Sequence, residues 1–315
     1  MYVNILYPNF EVYSAMLNVH KVQVKGVISY LALTYGLTLI TVAFILFTHG
    51  LHGPSALGVY GIMLVPAFSA FIVRKFITKE GFKGSGLCIG LKRYYITAYI
   101  LPVLIVVSTY VISIIIGYGK VYLSESELME YLKELTKQAG ITTIPKPPMN
   151  LSYREWFLLL SIASLTAFIP IAWFFGFGEE YDWRGYLLPK LLLLGRWRAL
   201  ILTGFLWWLW HTPLMLIAPT TTHAQSIELL ALIFTSFLAT ILVNIVFAWI
   251  FYTSRSIFAA ALAHASYNQA VRALTIFIKT NSLAFNTITV VLLILVVFIL
   301  HKFKQINKIG PIPQA

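Results

Sequence analysis

Seven apolar runs, each long enough to cross a hydrocarbon layer, constrain this chain more than any other feature. They lie at about 27–48, 55–73, 94–117, 198–217, 228–252, 256–277 and 283–301. About 20 apolar residues of helix span a bilayer, and helices satisfy their own backbone polar groups there. The stretch 152–195 is too long for one simple span and contains Pro170, a polar knot from Glu179 to Arg184, and Pro189. It reads as one long, kinked membrane segment with an interfacial helix near 152–169. The fold class is therefore all-α, a polytopic membrane helical bundle of about eight transmembrane helices.

Composition agrees. Hydrophobic residues make up 59% of the chain and charged residues 11%, against about 25% charged in soluble domains. Such a chain cannot cover itself with a water-facing surface. The net charge of +12 does not point to nucleic acid, because the lysines and arginines sit in short clusters between apolar runs, as topology signals do. Lys21, Lys25, the cluster from Arg74 to Arg93, Arg196, Arg198, Arg255 and the tail lysines 302, 304 and 308 fall on one side. The mixed loop at 118–153 falls on the other. The positive-inside rule then places both termini in the cytoplasm, in a plasma membrane if prokaryotic and an endoplasmic reticulum membrane if eukaryotic. The first 26 residues carry no cleavable signal pattern; Tyr2, Tyr7, Phe10 and Tyr13 can lie along the interface.

Three regions follow. Residues 1–150 hold three transmembrane helices and an extracytoplasmic loop, 151–280 the polar core, and 281–315 the last span with a basic cytoplasmic tail. In the loop, Ser124 can cap a helix with Glu127 three residues on, Glu130, Lys133, Glu134 and Lys137 follow at helical spacing, and 144–148 is a stiff connector. The helix reads as a solvated lid or spacer. Gly84–Gly90 is a turn, without dinucleotide-binding spacing. Cys88, the lone cysteine, excludes an internal disulfide and reads as a small buried residue beside that turn. No internal repeat suggests a two-half transporter.

Ionisable side chains inside a bilayer are expensive and usually mark function or a compensating pair. Only 11 residues are acidic, yet Glu179, Glu180 and Asp182 stand together beside Arg184. Glu180 and Arg184 are four apart and share a helix face, so they can neutralise each other. Glu179 points about 100° away, with no arginine at that spacing. A carboxylate left without its own cation in a low-dielectric cleft has the profile of a general base acting on water. His211 follows Trp207, Trp208 and Trp210 in a second span. His264 lies in a third, with Asn268 four residues on. Counting at 1.5 Å per residue from the cytoplasmic charges allows all three spans to meet at one buried cavity.

These residues resemble a known family, the CAAX prenyl endopeptidase and bacteriocin-processing (CPBP) intramembrane proteases, and within it the glutamate-dependent type II CAAX prenyl endopeptidases. The motif E-E-x-x-x-R reads Glu179-Glu180-Tyr181-Asp182-Trp183-Arg184, continuing through Gly185 to Pro189. The aromatic-x-x-x-H motif is matched from Trp207 to His211, and H-x-x-x-N from His264 to Asn268. The resemblance covers roughly 155–280; the first 150 residues match only in being hydrophobic. Tyr181-Asp182 stand where the family often has a glycine before the tryptophan.

The resemblance implies an eight-helix endopeptidase that removes the last three residues after a prenylated cysteine. By that likeness Glu179 and His211 activate water, His264 and Asn268 hold the oxyanion, and Glu180 with Arg184 is the structural pair. Trp207, Trp183 and Tyr267 are the expected substrate contacts. The partners are a peptide or protein with a lipidated C-terminus and membrane lipid, with no nucleic acid. The expected reaction uses no metal or cofactor. A zinc form, held by His211, His264 and Glu179, is the alternative; against it, no H-E-x-x-H is present and Asn268 is a poor zinc ligand. Bacteriocin or pheromone processing, a proton-relay transporter and a non-catalytic scaffold are the other readings.

Overall fold

A computed structural model describes residues 10–47, 56–122, 124–138, 144, 146–217 and 226–310, apart from the side chains of 10–22, 56–59, 135, 138, 216 and 217. Tyr2, Tyr7, Pro145 and the loop histidines 49, 52 and 223 lie outside the described residues, as do the side chains of Phe10, Tyr13 and His20.

The described elements run α1 (Phe10–Phe47), α2 (Ala56–Ile72), α3 (Arg93–Ile115), β1 (Gly119–Val121), α4 (Glu125–Gln138), α5 (Tyr153–Leu165), α6 (Ile169–Asp182), α7 (Leu188–Leu191), α8 (Arg196–Ile217), α9 (Ser226–Ser254), α10 (Ile257–Thr275), β2 (Ile278–Thr280) and α11 (Ser282–Lys302). The protein is a helical membrane bundle. Five described helices are long and apolar enough to cross a membrane, or six if the bent pair α5–α6 is one span. The other two expected spans, α8 and α10, form helices at the expected places but fall outside that count. For α10 the reason is visible: it carries His264, Ser266, Asn268, Gln269 and Arg272. Lipid-facing character survives on the outer helices, where Ile28, Ile40, Phe44, Phe298 and Val291 are exposed.

The expected kink in 152–195 is real, but Pro170 does not break a helix. It sits in the first turn of α6, where its missing N–H leaves no helical bond unmade. The 47° bend falls just before it, between Leu165 and Ile169. Ser152 and Glu155 form a capping box that starts α5.

After Asp182 the chain makes a π-helical turn over Trp183–Leu187, with the Leu188 N–H reaching back to the Trp183 carbonyl. A second π-turn ends α2 at Val73–Ile77. The two are joined: Arg74 Nη2 donates to the Gly185 carbonyl at 2.8 Å and Nη1 to that of Gly81 at 2.8 Å. Inserted turns of this kind recur at functional sites because they re-aim neighbouring side chains.

The Gly84–Gly90 segment is a turn, as read, and it is a docking turn. Leu91 donates to the Ser254 carbonyl and Ile257 to that of Gly86, so the turn caps the α9–α10 junction. Gly90 has φ +63° and a Cβ there would meet the Ser254 carbonyl oxygen at 2.1 Å. Cys88 corrects the sequence reading: it is exposed, with Sγ 2.9 Å from the Arg255 carbonyl.

The 118–153 loop corrects another. Ser124 and Glu127 do cap α4, but the helix is not a solvated spacer. Leu128, Tyr131 and Leu132, at i, i+3 and i+4, bury one face against Tyr122, Phe157 and Phe277. Tyr131 donates to the Thr275 carbonyl, Glu134 pairs with Lys279, and the Glu125 carboxylate accepts the Tyr153 and Arg154 N–H groups. A short antiparallel ladder, Gly119↔Thr280 to Val121↔Ile278, ties the same end of the bundle together.

Candidate active site

The site begins with two glycines. In α6, Gly176 and Gly178 precede the acidic pair. A Cβ at Gly178 would lie 2.5 Å from the Met63 carbonyl oxygen of α2, and one at Gly176 would lie 3.0 Å from the Ala261 carbonyl oxygen of α10. Glycine in a helix costs about 1 kcal/mol relative to alanine. Here it lets two helices seat against the backbone of α6, as small residues do in membrane bundles. This close seating brings α10 and its histidine to the carboxylates. The sequence reading passed over both glycines, although their placement just before two glutamates was a signal.

Glu179 is 2% exposed. Its Oε2 accepts the Trp207 Nε1–H at 2.8 Å and lies 3.8 Å from His211 Nε2. Its Oε1 lies 3.8 Å from His264 Nε2. Three separate helices thus converge on one carboxylate. The His211 Nδ1 sits 3.0 Å from the Trp207 carbonyl; a carbonyl only accepts, so Nδ1 carries a proton, and Nε2 faces Glu179.

Glu180 points the other way, as its spacing requires. Its Oε1 accepts from Arg184 Nη1 at 2.9 Å, with both side chains fully buried. The same oxygen is 2.9 Å from His264 Nδ1, a contact the sequence reading did not foresee because it depends on how α10 packs on α6. Glu180 therefore orients the imidazole whose other nitrogen faces Glu179. The Arg184 guanidinium also stacks over the Trp207 ring, 4.3 Å from its centroid, and lies 5.4 Å from that of Phe247. Asp182, also buried, accepts from the Tyr30 hydroxyl.

A cavity of about 350 Å³ opens onto this cluster, lined by Glu179, His211, His264, Asn268, Tyr267 and Trp207 among others. Trp183 is corrected as a substrate contact: it is fully buried, edge-on to Tyr30 and Trp210, away from the cavity wall. Trp207 borders the cavity but commits its N–H to Glu179. No group of three or more His, Cys, Asp or Glu side chains among the described residues is placed to hold a metal ion. Glu179, His211 and His264 surround a common space.

Comparison with known families fits this geometry. Residues 161–270 match the family model described as type II CAAX prenyl endopeptidase Rce1-like. That stretch is similar to the Rce1-like family. The matched segment runs from the last turns of α5 into α10 and contains all of the cavity-lining residues just named. The resemblance read from three short motifs is thereby shown over 161–270. No curated protein matches the chain.

Proposed function

We propose that the protein is an intramembrane endopeptidase that hydrolyses a peptide bond with water held between Glu179 and His211. The observation that carries this reading is the pair of 3.8 Å approaches of two imidazole Nε2 atoms to one buried carboxylate in a shared cavity. That gap is too long for a direct hydrogen bond and leaves room for a bridging oxygen.

In this reading Glu179 takes the proton from the attacking water as its oxygen bonds to the carbonyl carbon. Trp207 holds the carboxylate in place throughout. Asn268 and His264 stabilise the negative charge that develops on the carbonyl oxygen, where fixed donors contribute most. With His264 Nδ1–H committed to Glu180, donation from Nε2 requires the ring to carry both protons. The proton on Glu179 passes to the leaving nitrogen as the C–N bond breaks, giving a free amine and a new carboxylic acid, which loses its remaining proton to solvent on release. No metal takes part in these steps. The family likeness supplies the substrate class, a C-terminal tripeptide following a prenylated cysteine, and the charge pattern supplies the orientation, with both termini cytoplasmic.

The test is cleavage of a farnesylated CAAX peptide and its unprenylated counterpart by detergent-purified protein, with Glu179→Ala and His211→Ala beside the wild type. The expected result is release of the tripeptide from the prenylated peptide by wild type only, unchanged in a strong chelator. Equal turnover by wild type and both variants removes the mechanism; loss of activity in chelator restores zinc.

A further inference from the structure

Beside the catalytic cavity lies a second, larger one of about 570 Å³, and the two share Met63 and Asn268 in their walls. Leu160, Phe168, Ile171 and Phe175 make its lining largely apolar. Among the described residues in its wall, Arg272 is the one charged side chain. Arg272 is exposed and donates to the Tyr60 hydroxyl at 3.1 Å, with its guanidinium 5.5 Å from the centroid of that ring. A phenol neutralises no charge, so the guanidinium keeps its full charge and most of its donors for something else.

The spacing says what. His264, Asn268 and Arg272 follow one another at intervals of four along α10 and so share a face. Arg272 lies eight residues beyond His264, about 12 Å along the helix at 1.5 Å per residue. An extended tripeptide spans about 10 Å. A scissile carbonyl held at His264 and Asn268 therefore puts the chain end of a three-residue leaving segment at Arg272.

We propose that this second cavity is the leaving-group subsite: its apolar wall takes the side chains of the C-terminal tripeptide, and Arg272 binds the free α-carboxylate. The proposal rests on the hydrolytic reading for its substrate. Arginine suits the task because its planar fork matches a carboxylate with two parallel hydrogen bonds. Arg272 would then act as a ruler, setting how far from the chain end the bond is cut.

The experiment measures equilibrium binding of a fluorescent farnesylated peptide to the Glu179→Gln protein, comparing a free C-terminal acid with the same peptide as an amide. The acid should bind about 10- to 100-fold more tightly, the range for a hydrogen bond to a charged partner. Adding Arg272→Gln should weaken the acid alone and bring the ratio near one. Unchanged affinity for the amide shows that this protein is folded, and Arg272→Lys should keep part of the preference. Equal affinities without the arginine change, a preference that persists in Arg272→Gln, or affinity that follows prenyl length alone would each overturn the subsite. Parallel cleavage assays separate the two claims. An Arg272-dependent preference without turnover by wild type leaves the subsite standing and removes hydrolysis; turnover without any preference does the reverse. Absence of saturable binding by either peptide overturns both.

Discussion

At the scale of single residues, the site depends on side chains that hold other side chains. Glu180 is the clearest: it joins Arg184 to His264 and leaves two buried partners stranded if removed. Breaking a buried ion pair on one side costs about 3–5 kcal/mol. Glu180→Ala should therefore lower the thermal midpoint in detergent markedly as well as abolish turnover, whereas Glu179→Gln should abolish turnover with little change in midpoint. Trp207→Phe separates holding from packing. The ring remains under Arg184 but the N–H is gone, so kcat should fall about 10- to 100-fold, the range for a hydrogen bond to a charged group, while KM changes little. Steady-state kinetics on the prenylated peptide checks this. The pairs Glu180–Arg184, Trp207–His211 and His264–Asn268 were legible in the sequence because intervals of four on a helix are local geometry, and Glu179 stood out as the acidic neighbour without such a partner. The Glu180–His264 contact and the burial of Trp183 were not, since both depend on how helices far apart in sequence pack.

At the scale of elements, backbone contact sets the positions. Gly178→Val pushes a branched side chain into the Met63 carbonyl and Leu64, only 2.5 and 2.8 Å from a first carbon. Overpacking of this sort costs about 1–3 kcal/mol or more, and activity should fall with the midpoint. Loop helix α4 offers a pH-dependent test. The Ser124 side chain and backbone bonds to Glu127 hold its carboxyl below the usual carboxylate range. A depressed folded value means that the cap stabilises α4 above the unfolded value and loses that contribution as pH falls through the folded one. Protection of the Glu125–Gln138 amides against exchange, measured relative to the intrinsic rate at each pH, should accordingly fall on acidification below about pH 4.5, and this fall should be absent in Ser124→Ala. The amphipathic pattern of α4 could be read from sequence, but its docking could not, because the receiving residues Phe157 and Phe277 belong to other segments.

At the scale of the whole molecule, the membrane bundle was evident in the apolar runs, while the number of spans was not. Eight spans were expected from the apolar runs; five described helices, or six with the bent pair, are long and apolar enough to cross, and α10 is diluted by the polar residues of the site. Orientation has a simple readout, because the lone cysteine is exposed. With the Arg74–Arg93 segment cytoplasmic, a membrane-impermeant maleimide should label Cys88 in inside-out vesicles and leave it unlabelled in sealed right-side-out ones. The opposite pattern inverts the topology.

Gly176 has one more consequence. Because α10 rests on the bare main chain of α6 at Gly176, the separation between the glutamates and the His264 imidazole is set by backbone contact rather than by the apolar residues that border the second cavity. On the proposed hydrolytic reading, Phe168, Ile171 or Met63 can then be exchanged to admit a differently shaped guest while Glu179 and His264 keep their spacing, so that substrate preference would diverge independently of the bond-breaking step.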